Sequence, residues 1–438
     1  MSFRDRLRRL RREQDLPRGN VASALEGTTR AVDSPALSGM PAHPTTASDK
    51  PDLGAPKALI AFEGPGGPGE ARVTTFDASH RHGSYALDEV TGAQLDDLVL
   101  LTGDDSLADL DLEQAIYLDT ETTGLSGGAG TYVFQIGLGR FLKSPQGPRF
   151  EVWQGFLSGP EGERALLSEC ARRIADRSGV VSFFGKSFDR HRLEDKMTLC
   201  GVPAPFADRP HLDLYHPCRR LYRGAYGDGR LKTLEKELCG VQREDDLPGS
   251  EAPEAWFDYL AGRPHQLEGV FRHNLDDVLS LVSLATHLGH ARREQRPDGS
   301  ALEGNPRTRA LGISRSAAGR QNRSEALRWI ERAIEREAQP VRSLLRERAD
   351  LLRLDGQSDG AVLAYRELLA AGTDRESVPC LLELAKLLEH HARDLAGALE
   401  CCRCAAILIE SQHTGPEYAR LVRDLRKRLT RLEKKVAP

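Results

Sequence analysis

Between residues 111 and 292 the apolar positions of the chain follow two alternating spacings. Segments 163–175 and 269–288 carry apolar residues at helical spacing. Four shorter apolar runs are typical of strands, the last of them being almost continuously apolar like a buried strand: 115–118, 132–138, 150–156 and 180–184. This alternation predicts an α/β or α+β domain over 111–295 with a central mixed sheet flanked by helices.

The segments before this domain have a different pattern. Segment 56–110 contains strand-like runs at 58–62 and 72–76 around a Gly/Pro turn, which predicts a small β-containing appendage to the domain that follows. Residues 1–55 form a basic, low-complexity tail, in which six of the first twelve residues are arginine. Its composition buries too little apolar surface to offset the entropy of ordering, so the tail is predicted to be disordered.

Residues 305–438 have helical spacing almost throughout. Ala326, Ala361 and Ala398 occupy similar local sequences at offsets of 35 and 37 residues. A period near ~34 residues with two helices per unit is typical of helical-hairpin repeats of the tetratricopeptide type. We therefore expect an all-α helical-hairpin repeat domain, and repeat arrays of this kind usually present a concave surface to a protein partner.

Composition and charge exclude several classes of protein. Of the 438 residues, 39% are hydrophobic and 29% are charged, as in a globular chain. No apolar run approaches the ~18 residues of a membrane span, and no apolar core follows the N-terminal charges as in a secretory signal. The eight cysteines are unevenly spaced and suggest no disulfide framework, which favours a reducing, cytoplasmic location. With a net charge of −4, any contact with a polyanion must come from local basic patches.

The most informative chemistry lies at the end of the first strand of the domain. Asp119 and Glu121 follow the apolar run 115–118, and because side chains alternate along a strand, both are expected to project to the same side. Two adjacent carboxylates repel each other unless a counter-charge is present. Mg²⁺ and Mn²⁺ prefer carboxylate oxygens and water as ligands. A divalent-cation site and a pair of solvated acids both remain open on this pattern alone.

Two further acidic motifs follow at roughly even spacing. Together with 119–125, segments 184–189 and 273–277 make the chain resemble the DEDD superfamily of 3′→5′ exonucleases on the ribonuclease H-like fold. The resemblance covers about 115–292. Within that fold, the chain is similar to the YprB-type ribonuclease H-like proteins in stretches 211–220, 231–235 and 246–249. This branch is a better guide to the fold of the chain than to its substrate.

The resemblance implies a site with two Mg²⁺ or Mn²⁺ ions held by four carboxylates. By their places in the motifs these are Asp119, Glu121, Asp189 and Asp277, with Asp119 bridging both ions. Asp276, three residues after His273, is the alternative to Asp277 as the fourth ligand. His273 is implied as the group that takes the proton from the attacking water. The expected reaction is metal-dependent 3′→5′ hydrolysis of phosphodiester bonds in DNA or RNA, with a single-stranded 3′ end as substrate.

Two residues depart from the patterns of the resembling families. Relatives often have asparagine five residues before the second-motif aspartate, where this chain has Phe184; a polar contact near the metal is then missing or supplied from elsewhere. The third motif commonly has tyrosine four residues before its aspartate, or histidine five before it. Here His273 stands four before Asp277, which places both on one helix face.

Residues around these motifs are candidates for binding substrate. The turn after Glu121 could approach the terminal nucleotide of the substrate. Alternatively, it is an ordinary turn whose leucine is buried and does not contact substrate. Basic residues between the second and third motifs could neutralise phosphates, and a solvated charged face is the alternative. The candidates are Thr122, Gly124, Leu125, Lys186, Arg219, Arg220 and Lys232.

Three functions remain open from the sequence. The first is the exonuclease; the second is a catalytically inactive nuclease-like domain that serves as a nucleic-acid- or protein-binding scaffold through the helical repeats. The third is an endonuclease on the same fold, which would cut circular single strands that an exonuclease cannot enter. The presence of all four implied carboxylates favours an enzyme.

Overall fold

The computed structural model describes residues 56, 58–124, 130–145, 147–244, 246–339, 341–410 and 416–436. The predicted tail 1–55 lies outside the described residues. The described strands form one seven-stranded sheet and a separate two-stranded ribbon of β3 and β4. They are β1 Ile60–Gly64, β2 Gly67–Asp77, β3 Arg81–His82, β4 Tyr85–Ala86, β5 Ile116–Thr122, β6 Val133–Leu142, β7 Arg149–Phe156, β8 Val180–Ser182 and β9 His211–Asp213.

The large sheet is mixed, as predicted, and its order is β1-β2-β7-β6-β5-β8-β9. Neighbours from β1 to β5 pair antiparallel, whereas β5, β8 and β9 pair in parallel. Strand β2 pairs with β7 from Glu70 to Asp77, so segment 56–110 contributes two strands to the same sheet as the domain that follows it.

The predicted strand at 180–184 is shorter than expected. It ends at Ser182, because the backbone at Phe184 adopts a φ of 62° and leaves the extended conformation. The apolar character of this run therefore reflects two different environments. Val180 and Val181 are buried in the sheet, whereas Phe184 is exposed beyond its end.

Helices cover both faces of the sheet and make up the C-terminal region. On β5, Tyr117 belongs to one hydrophobic core, while Ile116 and Leu118 belong to a second core on the other face. The α-helices are α1 Leu95–Thr102, α2 Glu163–Ala175, α3 Asp189–Leu199, α4 Tyr215–Tyr222, α5 Leu231–Cys239, α6 Ala252–Leu260, α7 Leu267–Leu288, α8 Pro306–Gly319, α9 Arg323–Glu335, α10 Arg342–Leu354, α11 Ser358–Ala370, α12 Val378–Leu387, α13 Leu395–Glu410 and α14 Pro416–Val436.

The region from α8 onward is all-helical over its described residues, as the sequence predicts. Ala326, Ala361 and Ala398 are each the fourth residue of α9, α11 and α13, and each is fully buried. The three alanines thus occupy equivalent places in alternate helices, which supports the predicted repeat. The tetratricopeptide type of the repeat stays a prediction. None of the described helices has the length and apolar character needed to cross a bilayer, and all eight cysteines are free thiols.

Helix α8 joins the helical region to the sheet domain through a close backbone contact with α4. A Cβ atom placed on Gly312 would lie 2.6 Å from both the carbonyl oxygen of Arg220 and the Cα of Leu221. Both of these are backbone atoms, which cannot rotate away. The first hydrophobic core continues across this contact through Ile313 and Ile330.

We predict that Gly312→Ala destabilises the protein by about 1–3 kcal/mol, because the added methyl group forces α8 away from α4. Thermal unfolding of the two proteins measures the effect. Gly319→Ala is the matched control: Gly319 ends the same helix with nothing within 4 Å of its Cβ position, so alanine there should be neutral or slightly stabilising. Equal melting temperatures for Gly312→Ala and Gly319→Ala would contradict the close contact.

Candidate active site

Strand β5 supplies the first two carboxylates of the site. Asp119 pairs with Gly137 of β6, and Glu121 pairs with Gln135 of the same strand. Residues two apart on a strand project to one face, so both carboxylates lie on the same side of the sheet, as predicted. Each is only partly accessible to solvent.

A buried amide network orients Asp119. Asn274 of α7 donates from Nδ2 to Asp119 Oδ2 over 2.8 Å. Gln154 donates to Asn274 Oδ1 over 2.9 Å and to the carbonyl of Phe271 over 2.7 Å. A Cβ on Gly137 would lie 2.4 Å from Asn274 Oδ1. Only glycine at this position leaves room for the amide that holds Asp119.

Asp189 enters the site from the first turn of α3. Its Oδ1 accepts a hydrogen bond from the hydroxyl of Thr120, the residue between Asp119 and Glu121 in the sequence. Asp189 is buried. A Cβ on Gly185, in the turn before α3, would lie 3.1 Å from Asp189 Oδ2, so this turn closes over the carboxylate.

Asp277 on α7 is paired with a buried arginine. Arg243 donates from Nη2 to Asp277 Oδ1, and its side chain is only 2% exposed. The same guanidinium donates to both oxygens of Glu235 over 2.6 and 2.7 Å. Ser280 also donates to Glu235 and contacts His82 over 2.8 Å. Arg243 Nη1 also lies 3.5 Å from Asp246 Oδ1, so Arg243 is the counter-charge for three acidic groups.

His273 lies between two carboxylates. Its Nδ1 is 2.7 Å from Asp246 Oδ1, and its Nε2 is 3.6 Å from Asp277 Oδ2. Asp246 also accepts a hydrogen bond from Lys232 over 2.8 Å. Burial acts to raise the pKa of Asp246, but the hydrogen bonds from Lys232 and His273 outweigh it and hold that pKa at about 2. An ionised Asp246 can fix the orientation of the imidazole ring.

Three carboxyl groups of the site have a raised pKa. Burial raises the pKa of Asp119 well above its ordinary value, and the charges of Asp277, Asp189 and Glu121 raise it further. Burial, and then the charges of Asp277, Asp189 and Asp246, raise the pKa of Glu121 well above its ordinary value, against the opposing charge of Arg243. For Asp189 burial is again the largest cause, and its pKa is raised to about 6. Four carboxyl groups from three separate segments are thus close enough to interact strongly.

The donor set fits a divalent cation, although the side chains are not arranged around one. Among the residues that the structure describes, no three histidine, cysteine, aspartate or glutamate side chains are gathered closely enough to hold a metal ion as they stand. Arg243 engages Asp277, and Thr120 engages Asp189. The donors are nevertheless carboxylate oxygens whose mutual repulsion a cation would relieve, which is the chemistry that Mg²⁺ and Mn²⁺ require.

The predicted substrate-binding residues all have partners within the protein where the structure describes them. Thr122 donates to the carbonyl of Gly124 over 3.2 Å, and Leu125 lies outside the described residues. The basic candidates bind inside the protein as follows: Lys186 pairs with Asp104 over 2.9 Å, Lys232 pairs with Asp246, Arg219 donates to the Tyr215 hydroxyl over 3.3 Å, and Arg220 donates to the carbonyl of Leu101. Their roles in binding stay predictions.

Sequence reasoning missed four residues that build this site. Asn274 stands next to His273 in the third motif, and its neutral amide gave no reason to single it out. Gly137 could be found only from the register of β6 against β5. Arg243 and Asp246 lie between α5 and α6, where no periodic pattern indicates which way a side chain points.

Comparison with known proteins supports the fold that carries this site. Residues 116–289 match the model of the RNase_H superfamily. The chain is also similar to Uncharacterized protein YprB of Bacillus subtilis (strain 168), with 28% identity over 374 residues that cover 81% of this chain and 85% of the relative. The predicted fold is thereby confirmed: an RNase H-like mixed sheet flanked by helices, followed by an all-helical region.

We predict that Asp119→Asn raises the melting temperature of the metal-free protein by ~3 °C near neutral pH. The substitution removes one repelling charge from the RNase H-like site and keeps an oxygen for Asn274 to bind. A carboxyl group whose pKa is raised by folding contributes its stability below its ordinary pKa and loses it as pH rises through the raised value. The advantage of the variant should therefore be absent below about pH 4, the ordinary range of an aspartate, and grow as the pH rises above it.

Asp195→Asn is the control for this experiment, since Asp195 is an exposed residue of α3. Its free energy of unfolding should stay within about 0.5 kcal/mol of that of the parent at every pH, so its melting temperature should hardly change. A lower melting temperature for Asp119→Asn than for Asp195→Asn near neutral pH would mean that the carboxylates do not repel one another as described.

Proposed function

We propose that this protein is a metal-dependent 3′→5′ exonuclease that hydrolyses phosphodiester bonds of DNA or RNA. The observation that carries the proposal is the convergence of Asp119, Glu121, Asp189 and Asp277, whose charges act on one another at the end of β5. An RNase H-like domain supports a nuclease-type chemistry at this place. The polarity of digestion comes from the motif resemblance.

In this proposal the four carboxylates hold two Mg²⁺ or Mn²⁺ ions. When bound, these cations supply positive charge to the phosphate and activate water near neutral pH. Asn274 and Thr120 orient the carboxylates of Asp119 and Asp189 through the hydrogen bonds that they donate. Fixed ligands need no reorganisation when the substrate arrives, and supporting hydrogen bonds of this kind commonly change activity by about 10- to 100-fold.

His273 is the proposed proton acceptor for the attacking water. Nδ1 lies 2.7 Å from Asp246 Oδ1 and 3.3 Å from Nη1 of Arg243. We assign the ring proton to Nδ1, because the closer partner is a carboxylate that can only accept. Nε2, which is 3.6 Å from Asp277, is then the nitrogen left for proton transfer. Asp246 thus acts as a positioning residue that selects the tautomer of the ring. His273 stands four residues before Asp277, whereas the common histidine stands five before the aspartate. The spacing of four still suits this role, because residues four apart share one face of α7.

One observation favours a second candidate function. Asp277 is engaged by Arg243, and the basic residues predicted to bind substrate each have a partner inside the protein. A catalytically inactive nuclease-like domain would be stable in this arrangement without any cation. The protein would then serve as a scaffold that binds nucleic acid or a protein partner, the latter through its C-terminal helices.

A nuclease assay tests the proposed function. Purified protein is incubated with 3′- and 5′-labelled DNA and RNA oligonucleotides in Mg²⁺, Mn²⁺ or EDTA. We expect stepwise shortening from the 3′ end that EDTA abolishes, and a loss of at least about 100-fold in Asp119→Asn, because that variant lacks a carboxylate ligand. Cleavage of circular single strands would instead indicate an endonuclease, and equal turnover by Asp119→Asn would remove the mechanism.

Metal binding can be tested without any substrate. We expect saturating Mg²⁺ or Mn²⁺ to stabilise the parent protein by ~2.7 kcal/mol at a hundredfold excess over its dissociation constant. The Asp119→Asn protein should gain much less from the metal, and Asp195→Asn should gain as much as the parent. An inactive scaffold would show no metal-dependent change in melting temperature in any of the three proteins.

A further inference from the structure

Phe184 combines a strained backbone with an exposed aromatic ring. Its φ of 62° lies in the left-handed region, which glycine and asparagine adopt readily and phenylalanine does not. Its side chain is not used to fill a core, since the residue is 44% exposed. A strained residue persists only where its surroundings fix it, and such residues gather at functional sites.

A buried carboxylate holds the backbone at this position. Asp213, at the end of β9, accepts from the backbone N–H of Phe184 over 2.8 Å and from that of Tyr215 over 3.1 Å through Oδ1. Its Oδ2 accepts from the backbone N–H of Lys186 over 3.1 Å. These three bonds shape the turn through main-chain groups, so the phenyl ring is not needed to form it.

Neighbouring aromatic residues brace the exposed ring from one side. The Phe184 and Tyr215 rings meet edge to face, with centroids 4.9 Å apart at 72°. Tyr215 is itself packed edge to face against Phe183 at 5.6 Å. Arg219 donates to the hydroxyl of Tyr215 over 3.3 Å. The Phe184 ring is therefore supported while part of its surface stays open to solvent.

The turn that carries the braced ring adjoins the carboxylate cluster. The next residue, Gly185, is so close to Asp189 that a Cβ there would lie 3.1 Å from Oδ2. Lys186, one residue further on, is partly exposed and carries positive charge near the same turn. A chain of phosphates at the carboxylates would bring its bases within reach of this turn.

We propose that Phe184, braced by Tyr215, is a stacking platform for one unpaired base of a single-stranded nucleic acid whose backbone lies at the carboxylate cluster. This inference rests on the proposed function and adds a base-binding subsite to it. Stacking on an aromatic ring is tolerant of base identity, because every base offers a π-face. The subsite would favour single strands over duplexes, whose bases are already stacked on one another.

The key variant is Phe184→Asn, because its effects on stability and on binding should have opposite signs. Asparagine accepts the left-handed backbone, so the melting temperature should rise by ~3 °C. Loss of the ring should weaken binding of a fluorescein-labelled short oligothymidine or oligouridine by about 10- to 100-fold. Binding is measured by anisotropy in the Asp119→Asn background, which prevents hydrolysis during the titration.

Two further variants separate stacking from general effects. Phe184→Tyr keeps an aromatic ring and should keep both the affinity and the melting temperature. Leu199→Asn replaces another exposed apolar side chain, 62% exposed at the end of α3, and should leave oligonucleotide binding unchanged. A 2-aminopurine base near the 3′ end of the probe should lose fluorescence on binding to the Phe184 protein and not on binding to Phe184→Asn.

The possible outcomes distinguish this inference from the function on which it rests. Unchanged affinity and unchanged 2-aminopurine quenching in Phe184→Asn, with nuclease activity present, would overturn the platform and leave the exonuclease standing. A lower melting temperature in Phe184→Asn would show that the ring serves packing, and would also overturn it. Absence of oligonucleotide binding by the protein that carries Phe184, together with absence of nuclease activity in the parent protein, would overturn the proposed function along with the platform.

Discussion

The constraint on which the site depends is the repulsion among carboxylates at the end of β5. Burial and neighbouring charge raise the pKa of Asp119, Glu121 and Asp189. Asn274 relieves only part of this cost through one hydrogen bond, and it can do so only because Gly137 has no side chain. A fold that gathers like charges in this way is less stable without a counter-ion. The cost of folding and the proposed capacity to bind a cation have the same origin.

Local periodicity was sufficient to place the acidic residues relative to their own elements. The two-residue repeat of a strand put Asp119 and Glu121 on one face, and the pairing of β5 with β6 agrees. The helical repeat put His273 and Asp277 one turn apart, and their side-chain atoms lie 3.6 Å from each other. Within one element, the side-chain direction follows from backbone geometry alone.

The rest of the site could not be predicted, because it depends on contacts between distant segments. Arg243 and Asp246 come from a stretch without helix or strand periodicity, and folding alone brings them to α7. Nothing in the sequence indicated that Lys186, a predicted phosphate-binding residue, is paired with Asp104 in the folded chain. The apolar run that ends in Phe184 gave no sign of the positive φ at that residue. An apolar residue type is compatible with a buried ring and with an exposed one.

The ion pair between Arg243 and Asp277 bears on whether the site can work. Arg243 is buried and makes two hydrogen bonds to Glu235 besides the one to Asp277. If Asp277 turns toward a cation, Arg243 keeps Glu235 as its partner, so the movement breaks one contact without leaving a buried guanidinium unpaired. His273 stays oriented by Asp246 during this exchange, because that bond does not involve Asp277. The arginine thus balances the charge of Asp277 in the absence of metal and does not bar its release.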